Sequence, residues 1–507
     1  MAGSCSSNVV GPRRGKLISA VPFGVVLVLG VIVSCWLGAS GFPCPHVDDG
    51  AYKSPAAEWI QHGRMTIPCL KGFFPRAETV FACLPPIYQW LLAAWYLVFG
   101  FSLYSTLAFH YTVHLLGTLA VMLAARRLME TSNPSSATTR NVIIASVGVI
   151  YLANLLYFDR PEETALLWVW LEVLVAQGRS TRKGIPASLA SGVFVGLAAL
   201  TSPAVGVLGA MIVLFRAMCT AAGAEGPQRR AAWRRAALQV AAAATVAAGM
   251  AAAWWTVMDV FYPGALHDQL IGTLGIMRER QLSGTLSEKL VIFSKVLLRK
   301  NPYQLPVTLF VLLFFPRLVM STGWRRAAPM SLALYATAAL GIIAVAVIRP
   351  YAYTYLGACM MLLLPCFGST IERYLQGSRL IGSAVLALCT GIAIVLVVKF
   401  VVLTYRLPGA ERPRTVFGRL TEIVPPGDSV AVLGLHWYPF QGRNPWRDAY
   451  LTGILDSPEI ARYRWVVLPA YEDPPRHIDE FELVEEVLTK QGYSFTYAYR
   501  VWRRRGP

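Results

Sequence analysis

Charged residues are scarce in this sequence, and acidic residues are scarcer than basic ones. Only 15% of the 507 residues are charged, with 28 Asp and Glu against 46 Lys and Arg, while 55% are hydrophobic. A soluble enzyme of this length needs a larger charged surface. The composition therefore argues against a soluble protein and is typical of a polytopic membrane protein.

The sequence also lacks the motifs of several common enzyme classes. It contains no glycine-rich nucleotide loop, no HExxH zinc motif and no GxSxG nucleophile motif. It shows no internal repeat of the kind from which many transporters are built. Any functional site must therefore be assembled from polar residues that lie apart in the sequence.

Long apolar segments occur along most of the chain. Each approaches the length of about 20 residues that a helix needs to cross a bilayer. They predict about eleven transmembrane helices, at 17–39, 103–124, 141–158, 163–177, 187–200, 203–217, 236–258, 303–319, 329–348, 351–368 and 380–404.

The net charge of +18 is explained by where the basic residues lie. They cluster in short connections such as "GPRRGK", "GPQRRAAWRR" and "GWRRAAP", which is the pattern of cytoplasmic loops. This predicts no nucleic-acid partner and a cytoplasmic N-terminus in the plasma (inner) membrane. The segments 39–102, 259–302 and 405–507 are then outside. The apolar segment 85–100 lies along the outer interface, because a crossing there would invert every later loop.

Polar side chains gather at the predicted outer ends of the spans. A group of charges on one side of a membrane protein is a candidate functional site, although ion pairs at helix ends are the simpler reading of each cluster alone. Four clusters on one face predict a shared polar cavity. They are Asp48 and Asp49; Asp159, Arg160, Glu162 and Glu163; His267, Asp268, Arg278, Glu279 and Arg280; and Arg349, Tyr351, Tyr353 and Tyr355.

These residue types suit one kind of reaction. A carboxylate can act as a general base on a hydroxyl or amine. Arginine beside tyrosine suits a phosphate, because the guanidinium offers a planar fork of donors. Without a nucleotide site, an enzyme at the outer face would need a lipid-linked donor. The predicted catalytic carboxylates are Asp48, Asp49, Asp159 and Glu162, and the predicted phosphate ligands are Arg278, Arg280, Arg349, Tyr353 and Tyr355.

Residues 15–405 resemble the GT-C superfamily of glycosyltransferases that use lipid-linked sugars. The relatives that it resembles most are the protein O-mannosyltransferases and the bacterial aminoarabinose transferases that modify lipid A. The resemblance rests on the acid pair followed by "Y…A…G", on "PPIYQW" opening a helix that closes with "FG", on "FDRPEE", on "ALTSP" at 199–203, and on Arg349 ahead of Tyr353 and Tyr355.

The resemblance implies a polyprenyl-phosphate sugar as donor, an envelope glycan, lipid or protein as acceptor, and no cofactor. Asp48 or Asp49 would deprotonate the acceptor, with Asp48 favoured because the first acid carries this role in the family. The sequence departs from the family at Leu84 and Ser202, where lysine is usual. Lys71, Arg76 or the arginines at 278–280 would then have to contact the donor phosphate.

The last hundred residues predict a small extracytoplasmic α/β domain, so the domains are 1–404 and 405–507. Short buried strands are predicted at 429–434 and 464–470, an amphipathic helix at 479–492, and a final strand in "YSFTYAYRVWRR". The aromatic segment 434–451 either lines a sugar or acceptor surface or is an ordinary long loop.

Three further points remain open in the sequence. Glu58 and His62 share a helix face and are weak metal candidates, but we predict no metal site. Two of Cys44, Cys69 and Cys83 could form a disulfide in the first outer loop. A flippase for a lipid-linked sugar, or a non-catalytic subunit of an envelope complex, is the alternative function.

Overall fold

The computed structural model describes residues 12–42, 49–71, 73, 75–80, 86–130, 136–156, 160–178, 185–272, 285–300, 304–323, 328–406, 413–433, 437–449, 452–469, 478–487 and 499–506. The helices of the apolar part run as α1 Pro12–Ala39, α2 Asp49–His62, α3 Pro86–Phe99, α4 Leu103–Glu130, α5 Ala137–Leu152, α6 Pro161–Ala176, α7 Ile185–Ala199, α8 Pro203–Ala222, α9 Gln228–Phe261, α10 Leu286–Lys300, α11 Leu305–Thr322, α12 Pro329–Ile348, α13 Tyr353–Met361, α14 Leu364–Gly377 and α15 Arg379–Tyr405.

Every predicted span overlaps a helix of the structure. Among the described residues, six helices are long and apolar enough to cross a bilayer, or seven if the bent pair α13 and α14 forms one span. That pair bends by 42° at Leu362 and Leu363. Pro365 lies in the first turn of the second helix, where proline is tolerated. The other four predicted spans correspond to the shorter helices α5, α6, α7 and α11, so the number of crossings stays a prediction.

Close helix packing is clearest between α7 and α9. Gly192 and Gly196 are four residues apart on α7 and present a flat surface to α9. A Cβ atom at Gly192 would lie 2.6 Å from the backbone oxygen of Ala243. At Gly196 it would meet the Met250 sulfur at 2.5 Å. Gly192 is therefore required for the two helices to approach this closely, whereas the flexible Met250 side chain could move away from a methyl group at position 196.

The C-terminal residues form a five-stranded sheet. Its strands are β1 Val430–Val432, β2 Trp446–Asp448, β3 Trp465–Pro469, β4 Phe481–Val487 and β5 Tyr499–Arg504, in the order β2-β1-β3-β5-β4. The first three strands pair in parallel, and β5 pairs antiparallel with β3 and β4. Helix α16, Pro413–Ile423, packs Val416 and Leu420 on one face of the sheet.

The prediction of a helix at 479–492 is wrong. Residues 481–487 form the edge strand β4, and residues 488–492 lie outside the described part. Pairing with β5 overrides the helical pattern, because Glu482 pairs with Arg503 and Glu486 with Arg500 across the two strands. The strands predicted near 430 and 465 are confirmed, and β2 lies within the segment 434–451.

Candidate active site

The acid pair stands at the beginning of α2. This helix starts at Asp49, while Asp48 and the side chain of Asp49 lie outside the described residues. Four residues further along the helix, Lys53 is 1% exposed. A lysine is almost never buried this completely unless it is paired, and residues four apart share a helix face. The sequence analysis missed Lys53, although its spacing from Asp49 is a usable signal.

Arg160 joins α2 to the start of α6. Its Nη2 donates to the Tyr52 hydroxyl at 2.6 Å, and its guanidinium carbon lies 4.7 Å from the centre of the Tyr52 ring. Its Nε also donates to Glu162 at 3.2 Å. One guanidinium thus holds α2 against the carboxylates that begin α6.

Local sequence explains why these carboxylates lie here. Arg160 is the N-cap of α6, Pro161 occupies the first helical position, and Glu162 and Glu163 follow in the first turn. Negative charge is favourable there, because the unsatisfied backbone N–H groups make the helix start positive. Both glutamates are nonetheless nearly inaccessible, at 2% and 4% exposed. Their charges therefore act on each other and on the neighbouring cations with little solvent screening.

The third contribution comes from the junction of α12 and α13. Arg349 ends α12 at the helix terminus where a cation is favoured. Its guanidinium carbon lies 5.2 Å from the centre of the Tyr355 ring. Tyr355 also lies close enough to Glu162 for the two side chains to interact. The arrangement forms a chain from Tyr52 through Arg160, Glu162 and Tyr355 to Arg349, which we call the arginine–tyrosine cluster.

A buried pair lies behind this cluster. The Nδ1 atom of His114, in the middle of α4, is hydrogen-bonded to Glu163. The imidazole also stacks on Tyr151, with ring centres 5.0 Å apart. His114 is fully buried. The sequence offered no signal for it, because a single histidine within an apolar helix does not reveal its partner.

The structure brings together some of the predicted residues and separates others. Glu162, Arg349 and Tyr355 meet in the arginine–tyrosine cluster, and Tyr353 begins α13 two residues before Tyr355. Lys71 lies in a different place, where Arg447 Nη2 donates to its backbone oxygen at 2.6 Å. The remaining predicted residues, Asp159, Arg278 and Arg280, lie outside the described part of the chain.

Glu58 and His62 make hydrogen bonds to protein groups. The His62 Nδ1 atom lies 2.8 Å from Glu58, whose other oxygen accepts from Gln441 at 2.6 Å. Within the described ranges, no group of three His, Cys, Asp or Glu side chains is arranged to hold a metal. Cys69 is a free thiol, and Cys44 and Cys83 lie outside the described residues.

Two solved structures share this fold. ArnT from Cupriavidus metallidurans, bound to undecaprenyl phosphate, is 16% identical, with 94% of this chain and 97% of that chain aligned at a TM-score of 0.62. The oligosaccharyltransferase of Archaeoglobus fulgidus, tethered to an acceptor peptide with an NVT sequon, is 12% identical, with 88% and 69% aligned at a TM-score of 0.53.

A scan against protein-family models and a search of curated proteins find no match. At such low identities the structural likeness establishes the fold alone. The chain therefore shares the fold of these two proteins, and it is an integral, multi-pass membrane protein with an additional small sheet.

Proposed function

We propose that this chain, which has the GT-C fold, is a membrane glycosyltransferase. It moves a sugar from a polyprenyl-phosphate donor to an acceptor on the extracytoplasmic face. The observation that carries the proposal is the arginine–tyrosine cluster, which links Tyr52 of α2, Arg160 and the buried Glu162 of α6, and Arg349 and Tyr355 at the junction of α12 and α13. The undecaprenyl phosphate bound to the structurally similar ArnT supports a lipid phosphate as the donor group.

In the proposed reaction, Asp48 or Asp49 removes a proton from the acceptor hydroxyl or amine. The freed electron pair attacks the anomeric carbon of the donor sugar, and the bond from that carbon to the phosphate oxygen breaks. Polyprenyl phosphate leaves with the additional negative charge. Arg349 stabilises this charge best if it is already held in position, and its contact with the Tyr355 ring supplies that constraint.

Lys53 and Arg160 would position the base. The buried ammonium group of Lys53, one helical turn beyond Asp49, keeps the acid pair ionised by opposing its negative charge. Arg160 fixes α2 against α6 through Tyr52 and Glu162. Both are positioning residues in this proposal, because they act through the acid pair and the cluster.

The proposed topology has the N-terminus in the cytoplasm and residues 405–507 outside, as a separate domain. Contacts support a common side for the C-terminal sheet and the first outer loop, because Gln441 donates to Glu58 and Arg447 donates to Lys71. At the end of the bundle, Trp36 near the end of α1 donates to Thr404 near the end of α15. The two helices therefore finish on the same side.

The test is release of free polyprenyl phosphate from a sugar-charged polyprenyl phosphate by the purified protein. Release that depends on an added acceptor and disappears in Asp48→Asn or Asp49→Asn is the expected result. A flippase would move the charged lipid between leaflets of a proteoliposome and leave the phosphate–sugar bond intact. If the sugar-charged donor stays intact after incubation with envelope extracts that supply acceptors, the proposal is contradicted.

A further inference from the structure

A second cleft lies between α2 and the C-terminal sheet. Its volume is about 490 Å³, within the range typical of pockets for small ligands. Its wall combines polar, charged and aromatic side chains from both parts of the molecule, chiefly Glu58, Lys71, Arg443, Asn444, Trp446 and Arg447. We call it the sheet cleft.

Helix α2 separates the sheet cleft from the arginine–tyrosine cluster. Ser54 and Glu58, four residues apart, line the sheet cleft. Tyr52 is two positions before Ser54, about 200° around the helix, and contacts Arg160. The two faces of one helix thus serve different sites. The helical rise places Glu58 about 14 Å along the axis from Asp49.

Three polar atoms in the wall have no hydrogen-bond partner within the described part of the chain. They are Arg443 Nη1, Arg447 Nε and Asn444 Oδ1. Each side chain is held by another of its atoms: Arg443 Nη2 donates to Thr421 and Arg447 Nη2 to Lys71, both at 2.6 Å, and Asn444 Nδ2 donates to Pro425 and Asp428. These three atoms are themselves buried behind the wall, while the two arginine side chains as a whole are partly exposed. The wall therefore presents two fixed guanidinium groups whose donors the protein uses only in part.

The charge of the cleft favours an anion. The wall contains three cationic side chains, Lys71, Arg443 and Arg447, and one carboxylate, Glu58. Glu58 already accepts hydrogen bonds from Gln441 and His62. Arg447 also lies 3.3 Å from Glu459, beyond the lining residues. Guanidinium groups match the geometry of carboxylates and phosphates, and they keep their charge at every physiological pH.

The aromatic part of the wall favours a sugar. Trp446 is partly buried and held rigidly, because its indole N–H donates to Gln441 at 2.9 Å and its ring stacks on Trp437. A fixed flat ring beside polar donors suits a pyranose, which has an apolar C–H face and hydroxyls at its edge. A simple anion would have no use for this surface.

We propose that the sheet cleft binds a segment of an oligosaccharide that carries carboxylate or phosphate groups. The anionic groups bind Lys71, Arg443 and Arg447, and one ring lies against Trp446. A glycan held there lies beside the helix that begins at the acid pair. Binding itself requires no transfer reaction, so this inference is tested separately from the proposed function.

The test is equilibrium binding to the full-length protein in detergent, without a sugar donor so that no turnover occurs. The probes are an oligogalacturonate for carboxylate, a phosphorylated oligomannose for phosphate, and a maltooligosaccharide of equal length as the neutral control. We expect one or both acidic probes to bind at least tenfold more tightly than the neutral one, with affinity falling as salt rises. The two acidic arms identify the anionic group.

Variants locate the site. Lys71→Gln changes an exposed residue and should weaken acidic binding about fivefold, and Arg443→Gln should weaken it further. Arg464→Gln, an exposed arginine outside the cleft wall, is the matched control and should leave the dissociation constant unchanged. Equal binding of neutral and acidic probes, no binding of either acidic probe, or insensitivity to both cleft variants overturns the proposal. Full competition by inorganic phosphate at the same concentration overturns its sugar component.

Discussion

Arg160 is the residue through which the parts of the candidate site meet. It contacts Tyr52 on α2 and Glu162 on α6, and Tyr355 of α13 lies close to Glu162. Since Glu162 is almost completely buried, these side chains take the place of solvent around it. Substitutions of single residues in this chain should therefore have large and distinguishable effects.

Replacing Arg349 should slow transfer. Loss of a charge-assisted contact typically costs about 1.5–3 kcal/mol, so Arg349→Ala should reduce turnover by about ten- to a hundredfold and weaken donor binding. Arg349→Lys should restore only part of the rate, because lysine lacks the planar fork. The measurement is the initial rate of polyprenyl-phosphate release with donor titration. Unchanged turnover and affinity in Arg349→Ala would move the phosphate site elsewhere, with Arg278 and Arg280 the next candidates.

Cys69 should resist alkylation in the folded protein. Burial raises the pKa of this thiol well above its usual range, and the nearby negative charge of Asp448 raises it further. A raised pKa keeps the group protonated, and only the thiolate reacts quickly. Peptide-resolved mass spectrometry after maleimide treatment at pH 8 should show Cys69 unlabelled. Denaturation should restore rapid labelling, and rapid labelling without denaturation would contradict the buried position.

At the scale of elements, helix ends place the site and small residues set the helix spacing. Pro161 starts α6 so that Glu162 and Glu163 fall in its first turn, and Arg349 ends α12. The bend between α13 and α14 is similarly explained by local sequence. Between α7 and α9, by contrast, the backbones approach so closely that even one methyl group has no space.

Gly192→Ala should destabilise the bundle. The new Cβ would lie 2.6 Å from a backbone oxygen of α9, so the helices must separate, at a cost of about 1–3 kcal/mol. The matched control is Gly249→Ala on α9 itself, where no atom lies within 4 Å of the new Cβ. Thermal unfolding in detergent, followed by the loss of monodisperse protein on size exclusion, should show a lower midpoint for Gly192→Ala alone. Equal unfolding midpoints for the two variants would exclude the tight contact between α7 and α9 at Gly192.

At the scale of the whole molecule, two candidate sites, the arginine–tyrosine cluster and the sheet cleft, lie at one end of the bundle. The C-terminal part contacts the segment after α1, where Gln441 donates to Glu58 and Arg447 to Lys71, and Phe101, just before α4, packs on Tyr438 with ring centres 5.8 Å apart. The sheet therefore lies against the segment that begins with α2. In the proposed function this arrangement shields the transfer reaction and adds an acceptor-side surface to it.

The proposed topology predicts opposite locations for two connecting segments. A reporter fused at Ser135, in the connection after α4, should report the cytoplasm, because that connection is one of the basic short loops. A reporter fused after Arg406, at the end of α15, should report the outer side. A paired phosphatase and fluorescent-protein reporter at each position gives the measurement. If both fusions report the same side, the proposed topology is wrong, and the prediction of a shared polar cavity at the outer face is wrong with it.

The sequence by itself determined the membrane class and the positions of the apolar helices. Apolar length is a local property, and capping residues act within one turn, so both can be read without the fold. The basic loops predict Glu162, Arg349 and Tyr355 at span ends on one side of the membrane, and in the structure Tyr355 lies close to both of the others. The resemblance to the GT-C superfamily likewise rested on the order of short segments.

Only the tertiary structure decided which polar residues share a cavity. It placed Lys71 against Arg447 in the sheet cleft, paired His114 with Glu163, buried Lys53, and made an edge strand of 481–487. Each of these outcomes depends on a partner distant in sequence. A periodic pattern specifies which face of an element is apolar, but the element that covers that face is chosen by packing of the whole chain.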